Sequence, residues 1–548
     1  MNLSALMITL NTPLGPASEE TLMFESLSAS EELGRLFSMD ITALSTKATH
    51  DPLDMLGKDV SVALELQDDS KRYLHGHVTS FGLAGVSSGF FQYRMTVQPW
   101  LMFLARRANN RIFQEKSVKD ILEVIFNECP ASPKFRFQLS QAHPVWEYCV
   151  QYRETDFNFV SRLMEQEGIY YYFEHTADGH TMVLVDSVDS HEPCAGSCSS
   201  IPFVLQSGSS GLMETEYINH WQLTNSLQPG KTTIRDYDFK KSKQLLEGTL
   251  SNAIVAPDGE MEIYDFPGDF LVNGEGRQYA RIRLEELQSQ HLRVQGGGTA
   301  RGIACGHTLE LTDHPRDDQN IKNLVLTTHL QCRLSAHEAG GGGDTHVSCS
   351  FTAAPASTPF RPQRITPKTF VQGPQTAVVV GPAGEEIHCD EFGRVKVQFF
   401  WDREGQKDDK SSCWIRVSHP WAGKGWGAIS IPRIGQEVIV DFIEGDPDHP
   451  IITGRVYNDD QTVPFSLPGQ KVVSGIKSNT HKGSGYNELS MDDTAGKEKI
   501  NIHAQYDMIT VVEHDDTQTV HNARVIKVDA THTETITGNT SITIEAAT

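Results

Sequence analysis

Three groups of residues have the types and spacing that chemistry could use. Cys194 and Cys198, with His191 close by, offer the thiolate and imidazole ligands that hold zinc. A structural zinc site needs four such ligands and no second CxxC or HxxxH unit accompanies them, so free thiols in a loop are expected. Asp446, Asp448 and His449 could form a metal cluster. A Gly-Asp-Pro-Asp run between two strand-like segments is, however, the composition a tight turn demands. Glu165 and Glu167 could be the acid and base of a hydrolase. Two residues apart on a helix they do not face one another, and a solvated surface is expected for them.

Tyr170, Tyr171, Tyr172 and Phe173 in succession could make a carbohydrate platform, but aromatics are ordinary strand formers, and core or interface packing is the expectation. The glycine runs at 296–298 and 340–343 lack the flanking strand, the following helix and the GxxxxGK[ST] spacing of a phosphate loop, so flexible loops are expected. Neither GxSxG nor HExxH occurs. On these grounds no catalytic residue, no cofactor and no metal is assigned.

The elements that would position such groups belong to several domains, because 548 residues exceed what one hydrophobic core organises. A formal charge of −24 repels phosphate backbones, and no Lys/Arg run offsets it, so nucleic acid is excluded as a partner. Nine cysteines, odd in number and without framework spacing, suit a reducing compartment. The first fifteen residues lack a secretory signal pattern, and no run of about 18 apolar residues could span a membrane.

Strand patterns at 60–66, 73–79 and 90–97 open the chain. Helical patches follow. In 117–127, Val118, Ile121, Leu122, Val124 and Ile125 form an apolar side, and in 154–168 Thr155 or Asp156 can cap the start while Gly168 offers a left-handed stop. Strand-rich sequence then continues to about residue 380. Between 386 and 457, strand candidates at 393–401, 412–418, 428–431, 437–442 and 451–457 alternate with Gly, Pro and Asp turns, which fits a small OB-type barrel.

The C-terminal segment carries a period. Val512, Val520, Val528, Ile536 and Ile544 recur every eight residues, and two positions after each stand His514, Asn522, Ala530, Gly538 and Ala546, drifting toward small or turn-tolerant types. Thr531, Thr533, Thr535 and Thr537 alternate with other residues, the signature of extended chain. One apolar residue in eight cannot stabilise an isolated array with unpaired edges, so other chains must supply the missing strands. The octad predicts an intertwined multi-chain β-helix with its aliphatics toward a common axis.

The stretches ETDFNFVSRLMEQEGIYYYFEH, DEFGRVKVQFFWDREG and WIRVSHPWAGKGWGAISIPRIGQEVIVDFIEGDPDHPIITGRVYN, followed by octads, resemble the valine-glycine repeat (VgrG) family. The resemblance spans nearly the whole chain. It implies a mainly β chain. Residues 1–380 would form a head like a phage tail hub, two β-barrels with helical insertions; 381–465 an OB-fold barrel; 466–490 a linker; and 491–548 an octad triple-stranded β-helix needle. It further implies a homotrimer whose needle core is Val512, Val520, Val528, Ile536 and Ile544. Implied partners are a hexameric Hcp tube at the head, a PAAR-type tip protein and effectors at the needle, and baseplate components. The implied role is that of a non-enzymatic, cell-puncturing spike of bacterial type VI secretion, cytoplasmic before firing and then injected. Only about thirty residues separate Tyr457 from the next strand-like stretch at 487–491, too few for a catalytic domain, so the lysozyme activity of the phage spike is not carried over. The alternatives are a secreted cell-wall or lipid hydrolase and a phage tail spike outside type VI secretion.

Overall fold

A computed structural model describes residues 8–87, 89–205, 216–252, 261–334 and 345–545. The glycine run at 340–343 and Ala546 lie outside the described residues. The chain divides into two compact units, Met1–Gln461 and Thr462–Thr548; strands dominate the first, and the second has three short strands before residue 504.

In the first unit, alternating apolar residues build a twelve-stranded sheet. Met23–Glu32, Ser38–Ser45, Phe90–Gln98, Lys71–Ser87 and Asp59–Glu65 pair in that order, all antiparallel. The strand candidates at 60–66, 73–79 and 90–97 coincide with the last three of these, to within a residue at 60–66. Met23–Glu32 also pairs with Lys322–Leu334, so segments some 300 residues apart in sequence share one sheet. One buried cluster runs from Ile8 to Ala353 and closes the head on its own apolar residues.

The two helices read from the sequence are present. Helix α1 (Val118–Asn127) begins on a capping box in which the Ser117 side chain accepts from the Asp120 amide and the Asp120 carboxylate accepts from the Ser117 amide. In α2 (Asp156–Glu167) Thr155 is the cap: its hydroxyl accepts from the Asn158 N–H at 3.1 Å, and Gly168 ends the helix at φ +69°. A third helix, α3 (Asn273–Gln288), lies where only strand was expected. Its start has no side-chain cap, and glycines at 274 and 276 hide the signal.

The glycine run 296–298 is not a loop. It ends the strand Leu292–Gly298, which pairs on both sides, with Ile218–Asn225 and Thr345–Pro355. A Cβ on Gly298 would stand 2.0 Å from the Tyr217 carbonyl oxygen, so the glycine lets two backbones approach.

The small barrel is a five-stranded sheet in the order Lys396–Phe399, Gln375–Val380, Glu437–Phe442, Pro450–Val456, Arg416–Val417. Reciprocal backbone bonds between Val395 and Ile415, at 2.8 and 3.0 Å, join its two ends and close it. Ala377, Val379, Val397, Phe399, Val438 and Val440 fill the interior. One expected strand is replaced: 428–431 is not in the barrel, and Gln375–Val380, upstream of residue 381, takes the place.

In the second unit, Val473–Lys477, Glu488–Asp492 and Lys499–His503 form an antiparallel sheet, so part of the expected linker 466–490 is strand.

Candidate functional site

Cys194 and Cys198 are buried free thiols. Cys198 sits in a short 3-10 turn, where its Sγ lies 3.4 Å from the Glu216 carboxylate. Burial, followed by that carboxylate, pushes the Cys198 thiol above its ordinary range, and burial does the same to Cys194, raised to about 11. His191 turns elsewhere: one ring nitrogen meets the Tyr170 hydroxyl at 3.1 Å and the other the Gly306 carbonyl at 2.7 Å. The three side chains do not converge as metal ligands.

Glu165 and Glu167 are not on a solvated surface. They are 3% and 0% exposed. They do point apart, as the helix period requires. Glu165 accepts from Arg35, at 2.9 Å, and from the Thr366 backbone and hydroxyl. Glu167 accepts from the Tyr279 hydroxyl and lies 2.7 Å from His143 Nδ1. Burial would lower the His143 pKa, but Asp186 and Glu167 outweigh it and hold it up at about 9. Both carboxylates are held by structural partners, and Glu165 also lines a cavity with Asp265, Asp269 and Glu286, among which Arg283, Arg364 and Lys368 supply positive charge. Tyr170, Tyr171, Tyr172 and Phe173 are buried in the core, Tyr170 against Phe360 and Phe173 against Phe37.

The Asp446, Asp448 and His449 turn joins the barrel to the head through an ammonium. Lys368 Nζ lies 2.6 Å from Asp446, 3.0 Å from Asp448 and 3.7 Å from Asp269. The second oxygen of Asp448 accepts from the Val150 N–H in the head strand Val145–Thr155. Burial lowers the Lys368 pKa, and the three aspartates more than reverse it. Burial likewise lowers that of His449, but Asp446 at 3.3 Å, with Asp269, raises it to about 9. Asp269, Asp446 and His449 offer ligand atoms within 4.8 Å of one another, the spacing of a cation site. The Lys368 ammonium already supplies the positive charge there, which is chemistry the turn composition did not reveal: Lys368 and Asp269 come from a proline-flanked connector and a loop before α3.

The octad segment contains bends at 505–506, 513–514, 521–522, 529–530 and 537–538, eight residues apart, with each of the last four immediately after an octad aliphatic. The small or turn-tolerant residues His514, Asn522, Ala530 and Gly538 fall within these bends. Between them the chain has no ladder with itself: no strand is formed in 504–545. Exposure follows the period. Val512, Val520, Val528 and Ile536 are 47–51% exposed, whereas Ile509, Val511, Val525, Ile526 and Ile542 are 63–87% exposed. Ile544, at the end of the described residues, is 81% exposed.

Comparison with known proteins accounts for these three pieces. Residues 30–335 match the phage tail baseplate hub family, 377–457 the type VI secretion system/phage-baseplate injector OB domain, and 474–548 the C-terminal trimerisation domain of bacteriophage T4 gp5. The type VI secretion system spike protein VgrG1c of Pseudomonas aeruginosa is 44% identical over 528 residues, covering 95% of this chain and 72% of the relative. The actin cross-linking toxin VgrG1 of Vibrio cholerae is 35% identical over 530 residues, but those span only 48% of the toxin. The fold matches that of the E. coli c3393 protein, a type VI secretion component similar to phage T4 gp27 and gp5, with a TM-score of 0.58 at 21% identity, over 82% of this chain and 99% of the other. A hub head, a closed OB barrel and an octad trimerisation segment in one chain, at this identity over nearly its whole length, place it in the VgrG family of type VI secretion system spike proteins.

Proposed function

We propose that three copies of the chain wind their octad segments into one needle, and that the assembly acts as a non-catalytic piercing spike. In this reading Val512, Val520, Val528, Ile536 and Ile544 form the axial core. The single observation that carries it is the coincidence of period, bend and exposure in 504–545. A segment with no strand ladder of its own, in which Val512, Val520, Val528 and Ile536 are more sheltered than the other aliphatics, is shaped to close only against other copies. The head is suited to sit on a hexameric Hcp tube, and the free end of the needle to carry a PAAR-type tip protein and effectors. Baseplate components would hold the spike until firing, and the path would run from the bacterial cytoplasm into the target cell. Among the described residues, Glu165 and Glu167 are each held by structural partners, and Asp269, Asp446 and Asp448 surround the Lys368 ammonium, which supports the non-enzymatic reading.

Light scattering of the purified chain tests the assembly and should report three times 60.9 kDa. A monomer at micromolar concentration would overturn it. Piercing is tested in a type VI-competent bacterium whose own spike gene has been replaced by this chain. Target-cell killing and release of tube protein should persist with the wild-type octads and vanish with Val528→Asp.

A further inference from the structure

The barrel carries an excursion that its fold does not need. Between Arg416–Val417 and Glu437–Phe442 the chain leaves the barrel and forms a two-stranded hairpin, in which Trp421–Ala422 pairs with Gly427–Ala428. Among the described strands these two pair only with each other. The hairpin is stiff. The Gly423 N–H donates to the Trp426 carbonyl at 2.8 Å, and a Cβ on Gly423 would lie 2.4 Å from the Trp426 ring. Gly427 has φ +138°, and a Cβ there would lie 2.4 Å from the Trp421 carbonyl oxygen. Such a finger holds its side chains in place before anything binds.

What it holds out is apolar. Trp421 and Trp426 meet edge to face, with ring centroids 5.2 Å apart, yet are 62% and 60% exposed, and Ile429 beside them is 75% exposed. Buried tryptophans on rigid supports are the commonest anchors of protein interfaces, and an exposed pair costs solvation without return unless something covers it. The hairpin's one formal charge is Lys424 at its tip, while the barrel segment around it is net acidic.

Chain length selects the occupant. The trimerisation match begins at residue 474 and the last barrel strand ends at Val456, so about 17 residues, at most about 60 Å of chain, tether each barrel to the segment that joins the copies. Barrels so tethered meet one another at an effective concentration on the order of millimolar, far above that of any free partner. A second barrel also offers matching chemistry: exposed Phe400 is followed in sequence by Asp402 and Glu404, and exposed Tyr457 by Asp459 and Asp460. A finger-to-barrel contact is heterologous, and three copies close such a contact into a ring. We infer that the Trp421–Trp426 hairpin is an arm with which each barrel grips the barrel of a second copy of the chain, an inference that rests on the trimer reading above.

The test is photo-crosslinking of the full-length chain with p-benzoylphenylalanine in place of Trp426, after light scattering has established the oligomeric state of the same preparation. The expected product is a covalent pair of chains whose crosslink maps by mass spectrometry to residues 375–457 of the second copy. A trimer that yields only intrachain products, or crosslinks into 474–548, overturns the arm while leaving the trimer standing; a monomer overturns the trimer reading itself. Irradiation inside cells should give the same pair, and a crosslink to a different protein there in place of the second copy would also refute the proposal. As a second measurement, Trp421→Ala with Trp426→Ala should speed subunit exchange between differently labelled trimers by at least tenfold, with barrel melting unchanged because both rings are exposed. An unchanged exchange rate speaks against the arm.

Discussion

Replacing Lys368 by methionine isolates the ion network that ties barrel to head. Methionine keeps most of the side chain's volume and removes the ammonium from between Asp269, Asp446 and Asp448, which stand 3.7, 2.6 and 3.0 Å away. Stripping one partner from a fully buried pair costs about 3–5 kcal/mol, because the remaining charges stay in a poor solvent. Lys368 retains 30% exposure, so solvent screening reduces this to about 2–3 kcal/mol. For a unit that ends at Gln461, with an unfolding entropy of about 1 kcal/mol per degree, that corresponds to a loss of about 2–3 °C in the melting transition of the head and barrel.

The pH dependence has a definite sign. Asp446 is held below its ordinary range, with His449 and Lys368 outweighing burial, so its contribution in the wild type is present at neutral pH and lost as pH falls through the depressed value. In the variant, the uncompensated carboxylates take up protons at higher pH, and the deficit shrinks toward pH 4. The vacated position should also accept a divalent cation, since the carboxylates of Asp269, Asp446 and Asp448 converge on it. Millimolar Ca2+ should therefore raise the melting temperature of Lys368→Met and leave the wild type unchanged. The assay is differential scanning fluorimetry at pH 7 and pH 4 with and without Ca2+. A variant that melts within about 1 °C of the wild type at pH 7, or Ca2+ that stabilises both proteins equally, would refute the view that this lysine is the counter-ion of the cluster.

His143 is protonated between Glu167 and Asp186 with its pKa raised to about 9, so its stabilisation is complete below about pH 6.5 and disappears as pH rises through 9; urea unfolding of the wild type should lose up to about 3 kcal/mol over that window and His143→Gln should not show the slope. Val528→Asp should abolish the trimer at neutral pH, because symmetry would bring three carboxylates together in an apolar interior, whereas Lys527→Asp should change stability by no more than about 1 kcal/mol, since Lys527 and Asp529 form an exposed pair 2.9 Å apart; equal melting and light scattering for the two variants would remove the axial assignment. Gly298→Ala should destabilise the head by about 1–3 kcal/mol, because its Cβ would stand 2.0 Å from a backbone oxygen that cannot rotate away; a melting curve like the wild type's would show that the strand can shift at no cost.

Local signals were legible where the chemistry that sets them is local. The capping residues Ser117 and Thr155 and the left-handed Gly168 mark their helix ends from within a few residues, and the octad spacing marks its own bends. Glu165 and Glu167 read as surface because nothing within a turn of the helix neutralises them. Of their partners, Arg35, Tyr279 and Thr366 arrive from more than a hundred residues away and His143 from outside the helix, and spacing along one helix cannot show that. The same holds for Lys368 and for Gly296–Gly298, whose composition is that of a loop but whose place between two strands is decided by Phe351 and Tyr217. Gln375–Val380 is not legible as a barrel strand because the turn signals of the barrel begin only after it.

The two units differ in what they need in order to fold. The head closes on its own apolar residues, from Ile8 to Ala353 in one buried cluster, and the barrel closes on itself through Val395 and Ile415, so both can reach their structure as single chains. The octad segment cannot. Among the described residues its backbone has no strand partner, and even its most sheltered aliphatics remain about half exposed. Its free energy is therefore gained at association, and its stability is inseparable from chain concentration. Among the described residues of the second unit, the short sheet Val473–Lys477, Glu488–Asp492 and Lys499–His503 is the part with ladders of its own, and it lies immediately before the first bend at 505–506. Folded heads that bring three such sheets together would start the octads in a common register. In the proposed needle, a slip of one residue would be disfavoured because it would turn every Val and Ile of the series away from the axis at once.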